Sequence, residues 1–439
     1  MHSRIITVDF AKKAGKIKPL LCSSALPLSE YPHPYDLKEV YADMSVGTVR
    51  LTPRENLPIG VGDIFPDFSL DPRLEASYNF TVLDSAASMV KSLGMDIFLT
   101  LGERPDPTLS SPRNLPPRDK RKWAEICVGI IRHLNEGWAN GFKYGIKLVE
   151  IWQGADTYAS FRAEPEEYYE LYSLVSKRLK ERFPRLSVGG YSSKGFYSLN
   201  HAYGTEEERK SIDFLENFLD FQAKEKAPLD FLSWKCYAGF PEELPLHSNY
   251  AASYLSTAGF KKAKSIVTEF NAAPKSPTFF FDKSYPAFLA SMLLGAQKSD
   301  VDMMFYSDLS PLSPSNGLYS LNDRAALHPY AALGVAAAFG ELLRVGDAVD
   351  SGEDYRRELY ALAAGGKDRG AVLISTADFN GRITVEFKNS PFTVCKIKGM
   401  TGGGERGVGA STVAEAVSVS SDRLNLKAGA NQVYLITLE

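Results

Sequence analysis

Short apolar runs rich in β-branched residues alternate along most of the chain with longer segments whose apolar residues recur every three or four positions. The first pattern predicts buried strands, and the second predicts helices with one apolar face. Strands are predicted at residues 17–22, 46–51, 95–102, 146–156, 186–191, 229–234, 264–270 and 301–307. Helices are predicted at residues 35–44, 79–93, 118–135, 165–182, 206–223, 286–297 and 329–343. This alternation predicts an α/β fold, a (β/α)₈ TIM barrel, with a doubly wound sheet as the alternative.

The pattern changes near residue 346. Beyond it, Gly, Asn and Asp separate short apolar runs such as YALAA, GAVLIST and NQVYLITL. A spacing of roughly 8 to 15 residues between such runs is typical of an antiparallel β-sandwich. We therefore predict an N-terminal strand within residues 1–12 that joins the sandwich, a barrel over residues 13–345, and a C-terminal β-sandwich domain over residues 346–439.

Composition and charge exclude several classes of protein. The 439 residues are 44% hydrophobic and 23% charged, which is typical of globular proteins and sufficient for two cores. A net charge of -3 gives no electrostatic reason to expect a nucleic acid or an anionic membrane as partner. No run reaches the roughly 18 apolar residues of a membrane span, and the N-terminus lacks the apolar core of a signal peptide. We therefore expect a cytoplasmic protein.

Cysteine and histidine positions indicate neither a disulfide framework nor a metal site. The four cysteines are Cys22, Cys127, Cys236 and Cys395. They form no CxxC pair, which predicts small buried thiols in a reducing compartment. The six histidines are dispersed, and the Gly-rich segment 401–409 precedes no helix. We therefore expect no metal ion and no cofactor.

Active sites of (β/α)₈ barrels lie at the C-terminal ends of the strands, so polar residues there are candidates. They are Arg50, Thr52, Glu103, Arg104, Gln153, Asp156, Ser192, Ser193, Lys235, Tyr237, Glu269, Asn271, Ser307 and Asp308. Glu269 stands out because it directly follows the apolar run SIVT, so that a rigid strand is expected to hold its carboxylate at the barrel mouth. The alternative is a structural salt bridge with Arg50 or Lys235.

Several longer motifs add a family signal. In chain order they are KWAEICVGIIRHLNEGWANGFKYGIKLVEIW, PEEYYELY, ERFPRLSVGGY, DFLSW, VTEFN and NGLY. Together they resemble family 39 glycoside hydrolases, the relatives of β-xylosidases and α-L-iduronidases, over nearly the whole chain. The resemblance implies a retaining mechanism. One Glu at the end of strand four protonates the leaving oxygen, and a second Glu about 5 Å away, at the end of strand seven, attacks the anomeric carbon.

One of the two catalytic positions matches the family pattern and the other does not. Glu269 in VTEFN matches the family's nucleophile. The acid/base residue is expected in an Asn-Glu-Pro motif after the strand-four Trp, where this chain has Gln153, Gly154 and Ala155. Asp156 and PEEYYELY keep the family's spacing, so Gly154 takes the position of the missing acid/base. Gln153 replaces the Asn that contacts the sugar 2-hydroxyl.

Two further departures concern the same pocket. Thr52 and Lys235 stand where the family usually has His, so the pocket has been rebuilt or retired. Lys235 beside Glu269 is expected to lower the pKa of that carboxyl group, which suits a nucleophile. Alternatively, another acid reaches the site and donates the proton to the leaving oxygen. A neutral Lys235 is the least favoured proton donor. The candidate acids are Asp156, Glu103, Asp308 and Glu164.

The resemblance and the strand-end positions together define a carbohydrate site. The predicted substrate-binding residues are Arg50, Glu103, Trp152, Gln153, Lys235, Tyr237, Asn271, Asp308 and Asn316. Trp152, Tyr237 and Tyr306 are candidate sugar platforms. We predict a retaining-type glycoside hydrolase with a modified acid/base site, acting on a β-xyloside-like or L-sugar glycoside. The alternative is a catalytically inactive carbohydrate-binding homologue; transglycosylation, phosphorolysis and homo-oligomer formation stay open.

Overall fold

Eight parallel strands close a barrel. The computed structural model describes residues 2–18, 22–29, 35–103, 113–200, 205–273, 284–307, 319–320, 325–326, 339, 342–349, 358–401, 409–418 and 422–439. The barrel strands are Cys22–Ser23, Thr48–Leu51, Asp96–Leu101, Leu148–Ile151, Ser187–Ser193, Phe231–Ala238, Lys264–Ala272 and Val301–Tyr306. The eighth strand pairs with the first, where Phe305 lies opposite Cys22. The predicted (β/α)₈ fold is confirmed.

Helices follow the barrel strands and bury their apolar faces against them. In the described part of the chain they are Lys38–Asp43, Val61–Ile64, Thr81–Ser92, Lys120–Glu136, Pro165–Arg182, Glu206–Lys224, Glu243–Thr257 and Tyr285–Gln297. Local signals explain where they begin. Asp119 caps one helix by accepting a hydrogen bond from Lys122 N, and Thr205 and Glu208 form a capping box at another. Pro165 occupies the first position of its helix, where a missing N–H is harmless.

The structure adds one helix and changes two of the predicted elements. The helix Glu243–Thr257 was not predicted. The described part of the first barrel strand is Cys22–Ser23. Lys18, near the start of the predicted range 17–22, is not part of it, because its backbone N and O bond to the Gln297 side chain and not to a strand. The predicted helix 329–343 falls largely outside the described residues, and Leu343 begins a strand.

The remaining long strands form one nine-stranded sheet. They are His2–Lys16, Leu343–Val349, Tyr360–Gly365, Gly370–Ser375, Gly381–Lys388, Val394–Thr401, Gly409–Ser418, Arg423–Ala428 and Gln432–Leu438. His2–Lys16 pairs antiparallel with Leu343–Val349 and parallel with Gly381–Lys388. The N-terminal strand thus lies inside the C-terminal sheet and continues to Lys16. The other pairings are antiparallel, and the predicted C-terminal antiparallel β-domain is confirmed as a curled sheet.

The two faces of this sheet serve two cores. Alternate residues such as Ala361, Val372 and Ile374 line the core inside the curled sheet. Their neighbours Tyr360, Leu362, Leu373 and Leu435 pack with the barrel helix Tyr285–Gln297. Because side chains alternate across a strand, one run of apolar residues can fill both cores. The sheet therefore docks on the barrel beside the helix that precedes the eighth strand.

All four cysteines are buried, as predicted, and none forms a disulfide in the structure. Among the helices of the described residues, none is long and apolar enough to cross a membrane.

Candidate active site

Glu269 lies near the C-terminal end of the seventh barrel strand, with 18% of its side chain exposed. Its Oε1 lies 2.9 Å from Nζ of Lys235 on the neighbouring strand and 3.5 Å from Nη1 of Arg50. Tyr237 donates its hydroxyl to Oε2 over 2.8 Å. The structure thus brings three predicted site residues, Lys235, Arg50 and Tyr237, to the carboxylate of Glu269, and both salt bridges considered from the sequence are present.

These contacts set the charge of Glu269. Burial by itself raises the pKa of Glu269, but the charges of Lys235 and Arg50 and the hydrogen bonds from Lys235 and Tyr237 lower it to about 2. The carboxyl group is therefore ionised at neutral pH. An ionised carboxylate can attack an electrophilic carbon but cannot donate a proton, so these salt bridges are compatible with a nucleophile.

Arg50 supports Glu269 from inside the barrel. Its side chain has no exposed surface, and its Nη2 lies 2.5 Å from Oε2 of Glu150. Thr100 donates to the same Glu150 oxygen over 3.0 Å. Arg50 therefore bridges Glu150 and Glu269. Glu150 is not among the site residues predicted from the sequence. An acid within the apolar run LVEI is, however, a usable signal for a buried ion pair.

We expect Glu150→Ala to lower the free energy of unfolding by about 3–5 kcal/mol, because Arg50 is then left as a buried charge with a weaker partner. Urea unfolding of the purified protein measures this loss. Glu136→Ala is the matched control, since Glu136 pairs with Arg182 at the surface. The control should cost less than about 1 kcal/mol. Equal losses in the two variants would contradict the structural role of Glu150.

A hydrogen-bond network fixes the strand ends next to Glu269. The Tyr237 hydroxyl also lies 2.9 Å from Oγ of Ser307, directly after the eighth strand. Asn271 bonds through Nδ2 to Ser307 O over 2.5 Å and accepts a hydrogen bond from Tyr285. Asn271 is fully buried, so in the structure its amide joins the seventh and eighth strands and has no exposed atom for a sugar.

The turn after the fourth barrel strand has an unusual backbone. Trp152 and Gly154 have left-handed conformations, with φ of 66° and 64°. Gly154 N donates to Tyr191 O over 2.7 Å. A Cβ added at Gly154 would lie 3.1 Å from Oγ of Ser160. With this backbone conformation, any side chain at position 154 would be strained, and its Cβ would point towards Ser160.

Gln153 contacts the end of the second strand. Its Oε1 accepts a hydrogen bond from Thr52 Oγ1 over 2.9 Å, and its Nε2 donates to Pro53 O over 3.3 Å. One Nε2 hydrogen remains for another acceptor. Thr52 and Gln153, two residues at which a departure from the family pattern is predicted, are therefore in direct contact.

Two other carboxylates at the barrel mouth hold loops in place. Asp156 accepts hydrogen bonds from Ser193 Oγ over 2.6 Å and from Lys194 N over 3.0 Å, next to the fifth strand. Burial raises the pKa of Asp156, although these hydrogen bonds oppose it. Glu103 is 8% exposed and accepts from Gly62 N over 2.7 Å. Within the described ranges, no group of three or more His, Cys, Asp or Glu side chains is arranged to hold a metal ion.

Two predicted sugar platforms are buried. Trp152 is 1% exposed and packs near Trp123 and Phe161, and Tyr306 is fully buried. Stacking on a sugar needs an exposed ring face, so both predictions are wrong for this structure. Tyr237 is partly exposed. The predicted site residues Asp308 and Asn316 lie outside the described residues.

A sequence profile of glycosyl hydrolases family 39 matches residues 14–287, which is more than half of the chain. The chain belongs to glycoside hydrolase family 39. The β-xylosidase of Geobacillus stearothermophilus is 26% identical over 188 residues. This alignment covers 40% of the family 39 chain described here and 33% of that β-xylosidase, so it spans well under two thirds of the relative.

Solved structures share the fold along nearly their whole length. A glucosidase from Croceicoccus marinus has 21% identity and a TM-score of 0.75, with 99% of this chain and 98% of that chain covered. A monomeric β-xylosidase from Caulobacter crescentus CB15 has 16% identity and a TM-score of 0.72, with 99% of both chains covered. At these identities the similarity establishes the fold alone.

Proposed function

We propose that the chain is a glycosidase of the retaining type, with Glu269 as nucleophile and no acid/base residue at Gly154. The observation that carries this proposal is the carboxylate of Glu269, which Lys235, Arg50 and Tyr237 keep ionised at the barrel mouth. The similarity to a β-xylosidase supports a β-xyloside-like substrate, and an L-sugar glycoside is the second choice.

The proposed reaction has two steps. Glu269 attacks the anomeric carbon and forms a glycosyl ester while the bond to the leaving oxygen breaks. Water then attacks the same carbon and releases Glu269, so that the sugar keeps its configuration. A proton donor for the leaving oxygen contributes about 10²–10⁴-fold. With Gly154 at the donor position, alkyl glycosides react slowly, and substrates whose leaving group needs no proton react faster.

Asp156 is the second candidate for a proton donor. Burial raises its pKa and favours the protonated form that an acid needs. Its hydrogen bonds from Ser193 and Lys194, however, hold it beside the fifth strand. We therefore favour a reaction without a proton donor over one in which Asp156 donates the proton.

A trapping experiment tests the proposed nucleophile. The protein is incubated with 2,4-dinitrophenyl 2-deoxy-2-fluoro glycosides of the xylo and gluco series. Their fluorine slows both steps, but the dinitrophenolate leaving group keeps the first step fast, so the glycosyl-enzyme accumulates. Intact mass and peptide mapping then report where the sugar is attached. We expect one glycosyl group on Glu269. A label elsewhere contradicts its role, and no label together with no turnover of any activated sugar favours the carbohydrate-binding homologue.

We expect Lys235→Met to move the acidic limb of the pH profile to higher pH by at least about one unit. The positive charge of Lys235 lowers the pKa of Glu269, so its removal raises that pKa, and the carboxylate is lost earlier as the pH falls. The measurement is kcat/KM on a dinitrophenyl glycoside as a function of pH. Lys235→Arg keeps the charge and serves as control. An unshifted limb in Lys235→Met would show that Lys235 does not set this ionisation.

A further inference from the structure

Tyr158 has the largest exposed fraction, 67%, among the large apolar side chains of the residues that the structure describes. One exposed aromatic ring is common on protein surfaces and indicates nothing by itself. Tyr158, however, lies in the loop that joins Gly154 to the helix Pro165–Arg182. This loop begins at the position proposed for the missing proton donor, so its exposed ring is a candidate for contact with substrate.

A closed turn keeps Tyr158 near Gly154. The N and Oγ1 atoms of Thr157 donate to Gly154 O over 2.9 Å and 2.8 Å. Such a turn brings the first and fourth Cα atoms within about 7 Å, and one more residue adds about 4 Å. The Cα of Tyr158 is therefore within about 11 Å of that of Gly154. With Gly154 at the proposed donor position, beside the leaving oxygen, this loop is expected next to the leaving group.

Further hydrogen bonds anchor the loop on the C-terminal side of Tyr158. Arg162 N donates to Asn114 O over 2.6 Å, and the Asn114 side chain donates to Ala159 O over 3.0 Å. The indole N–H of Trp152 donates to Ser160 O over 3.0 Å. Because the loop is already held in place, the ring loses little conformational freedom when a ligand stacks on it. The entropic cost of binding is therefore small.

Arg162 adds a positive charge beside the ring. Its Nε lies 3.2 Å from the Tyr158 hydroxyl, and its guanidinium carbon lies 5.7 Å from the ring centroid. Among the described contacts, Nη1 and Nη2 keep their N–H groups for a ligand. A planar ring beside an exposed guanidinium fits a ligand that is itself planar and carries negative charge.

We propose that Tyr158 and Arg162 bind the leaving group of the substrate, and that this group is a planar, acidic aglycone of the phenol class. This inference rests on the proposed function. As Glu269 forms its bond to the anomeric carbon, the electron pair of the breaking C–O bond leaves with the oxygen as a phenolate. Arg162 stabilises that charge while the ring stacks on Tyr158. Water later displaces Glu269 from the carbon, and the phenolate takes up the proton released.

The test compares two substrates that share a sugar and differ in the leaving group. 4-Nitrophenyl β-D-xyloside offers a ring and a phenolate, whereas β-D-xylosyl fluoride offers neither. We expect Tyr158→Ala to lower the ratio of kcat/KM for the aryl substrate to that for the fluoride about 2- to 10-fold. Tyr158→Phe keeps the stacking ring and should retain most of the ratio. Arg162→Met should make log kcat/KM, which reports the step in which the phenolate leaves, fall more steeply with leaving-group pKa across substituted phenyl xylosides.

The outcomes separate this inference from the proposed function. Val394→Ala is the control, because it shortens an exposed apolar side chain of the distant sheet domain and should leave the ratio unchanged. Wild-type turnover of both substrates with an unchanged ratio in Tyr158→Ala overturns the aglycone site and leaves the glycosidase standing. Wild-type inactivity on both substrates, in the xylosyl and the matching glucosyl series, overturns both proposals.

Discussion

Glu269→Gln is expected to lower kcat on activated glycosides by on the order of 10⁴-fold or more, because loss of a covalent nucleophile removes the whole two-step route. The amide has nearly the shape of the carboxylate, so the contacts with Lys235 and Tyr237 can persist while the attacking charge is lost. The measurement is the steady-state release of dinitrophenol, with the burst phase recorded separately.

Two controls make this result specific. Glu386→Gln carries the same substitution on the sheet domain, where Glu386 pairs with Arg423, and should keep full activity. Glu269→Ala with added azide should form a glycosyl azide of inverted configuration, because azide then attacks the anomeric carbon directly. More than about a tenth of wild-type activity in Glu269→Gln would contradict the nucleophile assignment.

The barrel could be predicted because its strands and helices differ in period along the sequence. The helix Glu243–Thr257 escaped prediction for a physical reason. Its buried face includes Glu243, His247 and Ser248, and Pro245 lies in its first turn. Its buried apolar residues are only Leu244, Ala251 and Leu255, so the apolar stripe is weak and the sequence gives little signal for this helix.

The same limit applies to the site. Glu269, Lys235 and Tyr237 could be predicted, because side chains at the ends of parallel barrel strands converge on one mouth. The direction of Trp152 could not be predicted, because it depends on the left-handed backbone of the turn, with φ of 66°. Glu150 was not predicted, because it lies within the fourth strand and not among the polar residues that follow the strand ends.

The two sides of the barrel mouth therefore differ. Near strands six and seven, Lys235 and Tyr237 contact Glu269, and Arg50 reaches the same carboxylate from strand two, as a nucleophile requires. On the side of strand four, Gln153 contacts Thr52, and Gly154 lies in a turn that disfavours any side chain. If the acid/base side chain were the only difference, a Glu at position 154 alone should restore proton donation. Because the backbone at Gly154 is left-handed, we expect that neighbouring residues of the turn have to change as well.

We expect the triple variant Gln153→Asn, Gly154→Glu and Ala155→Pro to raise kcat/KM on alkyl glycosides by about 10²-fold, at the lower end of the range for a proton donor. The single change Gly154→Glu should achieve less. A side chain at φ of 64° costs about 1–2 kcal/mol. Its Cβ also starts 3.1 Å from Ser160 Oγ. Replacing the neighbours as well allows the turn to leave the left-handed conformation.

The pH dependence distinguishes a restored proton donor from a general improvement in binding. A working acid adds a basic limb to the kcat/KM profile, because activity is lost when that acid ionises. The double variant Gln153→Asn and Ala155→Pro lacks the carboxyl group and should show neither the gain nor the new limb. If it matches the triple variant, the gain comes from the turn. If a folded triple variant gains nothing on alkyl glycosides, Gly154 does not occupy the donor position, and Asp156 becomes the residue to replace.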